Sequence, residues 1–304
     1  MLKSLLIPLD GSKFGESSLP LATAVAHAAG AKMHLAHVHV PYEPEHLLVS
    51  TAFQYEGVNI DEYDALHMRR EEEYLTEMVR PLSANGGADA KVLKGPRVAE
   101  TLAAHAAAVD ADMVFISSHG RSGFSRAWLG SVADELIRTT TIPLVVTRSD
   151  AGQDVGTARV RNIFVPLDGS VLAESVLGPA TDLARATKAR ITLAHIVSAS
   201  PLWPRTLLPT EDEVRPGLIG GVEYLKGVAA GLLDDGLDVA TRVAPGSTPA
   251  LAIVELAMEL DADFIAMATH GYGGVRRTLL GSVADKVLRG SPIPVLVTRP
   301  GASA

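Results

Sequence analysis

Cysteine is absent from all 304 residues, which excludes disulfides, iron–sulfur ligation and thiol catalysis and suits a reducing compartment. No apolar run approaches the roughly 18 uninterrupted residues that a membrane span needs. The N-terminal stretch MLKSLLIPLD breaks at Pro8 and Asp10, before the h-region of a signal peptide could form. Positive charge is also short: 27 Lys and Arg against 35 Asp and Glu leave a formal charge of −8, whereas a nucleic-acid partner calls for a basic stripe. The expectation is a cytoplasmic protein with neither a membrane nor a nucleic-acid partner. Several enzyme signatures are missing as well. There is no G-x-x-x-x-G-K-[ST] loop, no G-x-G-x-x-G opening the first helix and no nucleophile elbow. His34, His37 and His39 crowd one strand, but alternation divides them between two faces and no HExxH pattern accompanies them, so no metal site is expected.

What the chain does contain, it contains twice. LGSVADELIRTTTIPLVVTR at 129–148 and LGSVADKVLRGSPIPVLVTR at 280–299 agree without gaps at 12 of 20 positions. LLIPLDGS at 5–12 answers IFVPLDGS at 163–170, and SSHG at 117–120 answers ATHG at 268–271. A repeat of this period sets the architecture before any element is assigned. Two domains, 1–148 and 160–304, follow, joined by the small polar linker 149–159. Asp10 to Asp168 is 158 residues but His119 to His270 is 151, so the first copy has seven extra residues, expected after its second strand. The segments 41–59 and 198–215 share no readable similarity there and read as functional loops or as drifted surface connectors.

Each copy alternates strands and helices. The first copy predicts strands over 2–9, 32–40, 90–95, 112–118 and 142–148, with helices over 15–29, 60–84, 96–109 and 131–140. The second predicts strands near 162–167, 190–197, 237–243, 263–268 and 293–298, with helices near 171–187, 216–235, 247–260 and 282–289. Short, continuously apolar strands between helices indicate an α/β fold: two tandem doubly wound domains, each a five-stranded parallel sheet with helices on both faces. The charge run Arg69 to Glu73 reads as a solvated helix face.

The candidate site lies where strand four runs through Gly120 or Gly271 into Gly130-Ser131 or Gly281-Ser282 and a helix. Glycines permit close backbone approach, and a helix N-terminus offers unpaired N–H donors with a favourable dipole. A plain capped helix explains the same residues, because Ser131 with Asp134, and Ser282 with Asp285, fit the S-x-x-[DE] capping box. Pro8-Leu9-Asp10-Gly-Ser and Pro166-Leu167-Asp168-Gly-Ser close strand one of each copy, as turn formers or as ligand groups, with Ser12 or Ser170 available to cap the next helix.

These motifs resemble the universal stress protein family, over nearly the whole chain in two tandem copies. The family's nucleotide-binding members carry a glycine, two residues, a second glycine, nine residues, and then glycine with Ser or Thr. Gly120 with Gly130-Ser131, and Gly271 with Gly281-Ser282, match; Ser117 and Ala268 stand where the first glycine is expected. The resemblance implies an adenine-nucleotide alpha-hydrolase-like fold and ATP, with or without Mg, as ligand. It places Pro8, Leu9, Asp10, Pro166, Leu167 and Asp168 at adenine and ribose, and the backbones of Val38 and Ile196 at the adenine edge. Ser117, His119, Gly120, Gly130, Ser131 and Val132 of one copy then line the phosphate turn, as do Ala268, His270, Gly271, Gly281, Ser282 and Val283 of the other. It further implies a non-catalytic regulatory role in the stress response, antiparallel pairing of the final strands, and room for a homodimer of chains. The alternative is a nucleotide-free scaffold acting through dimerisation, which the two missing glycines favour; slow ATP hydrolysis or phosphotransfer is a weaker third.

Overall fold

The computed structural model describes residues 1–41, 60–83, 87–118, 129–148, 159–197, 211–270 and 280–300. The first half supplies strands β1 (Ser4–Pro8), β2 (Lys32–His39), β3 (Ala88–Lys94), β4 (Met113–Ser117) and β5 (Leu144–Thr147). The second supplies β6 (Asn162–Pro166), β7 (Arg190–Val197), β8 (Val239–Pro245), β9 (Phe264–Ala268) and β10 (Val295–Thr298). Helices α1 (Leu19–Ala29), α2 (Ile60–Ser83), α3 (Val98–Ala108) and α4 (Ser131–Thr139) belong to the first half. The second half has α5 (Val171–Glu174), α6 (Leu177–Thr187), α7 (Glu211–Asp234), α8 (Pro249–Glu259) and α9 (Ser282–Gly290).

All ten strands form one sheet in the order β3-β2-β1-β4-β5-β10-β9-β6-β7-β8. Pairing is parallel within each half. Among the described residues the one antiparallel junction is β5 against β10, with Val146 opposite Val295. Apolar alternation along the strands feeds two cores. Leu5, Ile7 and Leu35 face one side, under α1, α2, α6 and α7. Leu6, Ala36 and Val114 face the other, under α3, α4, α8 and α9. Each core draws residues from both halves, so the tandem copies share one two-faced hydrophobic interior.

The registers also bracket the extra segment. Met33 and Ile191 occupy equivalent places 158 residues apart, and their partners Ala88 and Val239 are 151 apart. The seven residues therefore enter between β2 and β3, in a stretch whose loop, 42–59, lies outside the described residues.

Three helices differ from expectation. The predicted helix 15–29 begins as a 3₁₀ turn, Gly15–Ser18, and becomes α-helical at Leu19. The predicted helix 171–187 breaks between α5 and α6. In both places the start of the helix is tied back to the preceding Asp-Gly-Ser turn, and the chain re-aims before packing on the sheet. Helix α7 begins at Glu211 rather than at 216, so that Pro216 lies inside it; a missing N–H one turn from the N-terminus removes only one helical bond. Among the described residues, no helix is long and apolar enough to cross a membrane.

Candidate functional site

Strand order reverses between β1 and β4: one crossover leads from β1 outward to β2, and another returns from β3 to β4. Open α/β sheets bind ligands in the crevice outside the carboxyl ends of strands at such a point. A cavity of about 310 Å³ opens there, lined by Leu9, Asp10, Val38, Ser117, Gly130 and Val132 among others. That volume falls at the lower end of the range for small-molecule pockets. Pro8 and Ser131 also line it, while Val98 and Leu102 of α3 close it over.

Its apolar end is built by strands of unequal length. In a strand, the N–H and C=O of one residue point to one side and those of the next to the other. The carbonyl of Ala36 accepts from the Leu9 N–H at 2.8 Å, on the β1 side, whereas the carbonyl of His39 accepts from Gly95 on the β3 side. Val38 therefore directs its own N–H and C=O towards β1, beyond the point where β1 has ended. The second half repeats this. Ala194 accepts from Leu167 and Val197 from Gly246, so Ile196 has the same aim. His37 Nδ1 lies 2.9 Å from the Leu9 carbonyl, and His195 Nδ1 lies 2.8 Å from that of Leu167. A carbonyl only accepts, so Nδ1 carries the hydrogen in each ring and fixes the outgoing chain.

Asp10 is both a turn former and a cavity wall. Its Oδ1 accepts from the Ser12 N–H at 3.0 Å and the Ser12 hydroxyl at 2.6 Å, and the Ser12 Oγ in turn accepts from the Gly15 N–H. Gly11, with φ 79°, makes the turn possible. Asp168, Ser170 and Ala173 reproduce these bonds at 3.0, 2.6 and 3.1 Å.

At the phosphate-type turn the structure corrects two expectations. The capping box does not form. Gly130 and Gly281 occupy the N-cap positions and no side chain caps either helix. Ser131 and Ser282 lie one residue too far into the helix, and Asp134 and Asp285 instead pair with Arg138 at 2.9 Å and Arg289 at 2.8 Å, one turn along. Each carboxylate is thereby balanced by a guanidinium on its own helix. The other correction concerns the glycines. The Gly130 N–H is spent on the Ser118 carbonyl at 2.6 Å and that of Gly281 on Thr269 at 2.8 Å. Glycine is needed because the helix start docks against the strand exit. A methyl group at 130 would stand 2.8 Å from the Ser118 oxygen, and one at 281 would stand 2.7 Å from that of Thr269. The donors left facing outward are those of Ser131, Val132 and Ala133, which by helix geometry have no intrahelical acceptor; all three residues line the cavity.

Ser117, in the first-glycine position, is buried at the end of β4, with Ser17 Oγ 3.2 Å from its hydroxyl. Ala268 ends β9, and the hydrogen-bonded neighbours Thr269 and His270 follow it. Pro166 closes β6, and Ser282 and Val283 open α9 as Ser131 and Val132 open α4. His119, Gly120 and Gly271 lie outside the described residues.

Sequence reasoning missed Glu71. Within a run read as solvated, its carboxylate turns inward to His39 Nδ1 at 2.7 Å and His37 Nε2 at 3.4 Å, and Asp64 meets His39 Nε2 at 2.9 Å. His39 is 2% exposed. His34, on the other face, pairs with Asp89 at 2.7 Å. The signal available was helical spacing, since Asp64 and Glu71 are two turns apart on the face that carries buried Leu75. Among the described residues no group of His, Asp and Glu is placed to hold a metal ion. Glu71→Ala removes an acceptor from a buried imidazole and should cost about 1–3 kcal/mol. Thermal melting should fall by several degrees, with faster amide exchange in α2; an unchanged melt would show that the carboxylate contributes nothing.

The family model for "Universal stress protein family" matches residues 1–148 and 159–299. The chain belongs to the universal stress protein family. Among curated relatives, the universal stress protein Rv2005c of Mycobacterium tuberculosis is 29% identical over 191 residues, a stretch spanning 62% of each chain. The universal stress protein MJ0531 of Methanocaldococcus jannaschii is 34% identical over 143 residues, 46% of this chain and 82% of that one. The crystal structure of a universal stress protein from Archaeoglobus fulgidus matches with a TM-score of 0.71 at 21% identity, over 98% of each chain. At that identity the likeness concerns the fold, and it runs over both halves of the chain.

Proposed function

We propose that this universal stress protein binds an adenine nucleotide, ATP, as a non-catalytic regulatory module of the stress response. The observation that carries the reading is the uncapped N-terminus of α4 opening onto the same cavity as the unpaired strand edge of Val38 and the carboxylate of Asp10. The three parts suit three parts of a nucleotide. An apolar slot with a backbone N–H and C=O matches the adenine edge, a carboxylate accepts from ribose hydroxyls, and outward N–H groups with the helix dipole favour an anionic tail. The arrangement serves binding and release of that nucleotide. Occupancy then acts through differential contacts, shifting affinity for a partner.

The scaffold reading draws on Ser117 and Ala268, whose Cβ atoms stand where nucleotide-binding relatives have glycine. Self-association through the final strands would have to break an existing pair, because β5 and β10 each have neighbours on both sides; a homodimer of chains must use another surface.

Protein purified, denatured and analysed by absorbance and mass spectrometry should release adenine nucleotide, and calorimetry of stripped protein with MgATP should give a saturable heat. A preparation free of nucleotide and giving no heat would favour the scaffold.

A further inference from the structure

We infer that Glu71 is a positioning residue for the adenine end of the first site: from the far face of the sheet, its carboxylate holds the two histidines flanking Val38 and so sets the aim of the Val38 backbone. The inference rests on the nucleotide reading and extends that site to a residue that does not line the cavity. Val38 packs with the apolar residues under α3, and alternation sends His37 and His39 to the opposite face, under α2. There the two oxygens of Glu71 are divided between them. Oε2 lies 2.7 Å from His39 Nδ1, and Oε1 lies 3.4 Å from His37 Nε2. Asp64 meets the other nitrogen of His39 at 2.9 Å. His37 passes the restraint on, because its Nδ1 donates to the Leu9 carbonyl at 2.9 Å. One carboxylate thereby ties α2 to both strands that build the adenine end, at Leu9 and on each side of Val38.

The second half supports the same strand end without a carboxylate. Tyr74 donates to Glu16, and Tyr224 to Glu174, which aligns the two long helices: Glu71, three residues before Tyr74, corresponds to Gly221, three before Tyr224. Val197 closes β7 where His39 closes β2. A methyl group on Gly221 would stand 2.9 Å from the His195 ring, so the helix backbone rests directly on the histidine that meets Leu167. Close packing supports that strand end; in the first half, charge-assisted hydrogen bonds do so. Removing the Glu71 carboxylate leaves a buried imidazole nitrogen without its partner, and the strand end must shift to recover one. Recognition by a backbone is sensitive to such a shift. Adenine offers a donor at N6 and an acceptor at N1 to a C=O and an N–H, whereas guanine offers the reverse, so the pose of Val38 decides between them.

Hydrogen exchange of the full chain, titrated with MgATP and with MgGTP and read by mass spectrometry, reports peptides containing Val38 and Ile196 separately. In the wild type, ATP should protect the Val38 peptide at lower concentration than GTP. Glu71→Ala should raise the ATP concentration for half-protection of that peptide roughly tenfold and narrow the preference over GTP, with the Ile196 peptide unchanged. Glu71→Gln, which keeps the shape and one acceptor, should fall between the two and serves if the alanine variant does not fold. Glu72→Ala, at the exposed neighbour, should match the wild type. Glu71 variants that melt lower yet bind ATP, and prefer it to GTP, as the wild type does would reduce Glu71 to a structural contact and overturn the inference, with the nucleotide reading intact. Wild-type protection missing from the Val38 peptide alone would also overturn the inference; missing from both peptides, it would overturn the nucleotide reading as well.

Discussion

Gly130→Val is expected to abolish tight ATP binding and to lower the melting temperature by several degrees. The backbone at Gly130 has φ −58° and ψ 144°, which any residue adopts, so the cost does not come from the dihedrals. It comes from the 2.8 Å that would separate a Cβ at this position from the Ser118 oxygen. The donor hydrogen bond from Gly130 to that oxygen pins the helix start, so α4 must tilt or slide to admit a side chain. Overpacking of this kind costs about 1–3 kcal/mol. Movement of an ångström at the N-terminus takes the N–H groups of Ser131, Val132 and Ala133 off the anion they would share. Gly281→Val should destabilise comparably, since its contact with Thr269 is as tight, yet leave nucleotide binding in the first half nearly untouched. Calorimetry and thermal melts of both variants check this. A Gly130→Val protein that melts and binds as the wild type would show that the docking of strand exit to helix start is irrelevant.

Val146→Asp is expected to abolish cooperative folding of the whole chain, not of one half. Val146 is 3% exposed at the antiparallel junction, opposite Val295. An unpaired carboxylate there must be desolvated or expel itself by opening the seam, at a cost of roughly 4 kcal/mol or more. The seam is also cross-braced: Arg148 Nη1 donates to the Arg289 carbonyl at 2.5 Å, and Arg299 reciprocates on that of Arg138. Hydrogen bonding to Asp134 raises the proton affinity of the Arg138 guanidinium, with burial opposing and Asp285 of the other half adding to it. These arginines meet the carbonyl ends of α4 and α9, where a cation is favoured by the helix dipole. Because both cores run through the seam, urea unfolding of the wild type should be a single transition. Trp128 and Trp203 place one tryptophan in each half, so single-tryptophan variants (Trp203→Phe and Trp128→Phe) should report the same midpoint. Two separated midpoints would show that the halves unfold independently.

Much of the fold was legible because the chain repeats itself. Alignment of the copies located the strands, the motif spacing located the extra residues, and continuous apolar runs such as SLLIP and MVFIS marked strands buried on both faces. The site was legible in outline for the same reason, since Pro-Leu-Asp-Gly-Ser and Leu-Gly-Ser-Val recur intact. What spacing misjudged was local competition. Ser131 and Asp134 satisfy a capping box as text, but the Ser118 carbonyl captures the Gly130 N–H and moves the cap one residue earlier, leaving Asp134 to Arg138. Glu71 sits in a run of charges that looks solvated, and only packing of α2 on β2 brings two histidines to it.

The sequence by itself determined the two copies, their parallel α/β architecture, the family and the ends of the strands where a ligand would sit, because these depend on hydrophobic periodicity and on short motifs whose parts are neighbours in the chain. Tertiary structure alone decided the use of each Gly-Ser glycine for close docking and the inward turn of Glu71 to His37 and His39. Those depend on contacts between atoms far apart in sequence or separated by tenths of an ångström.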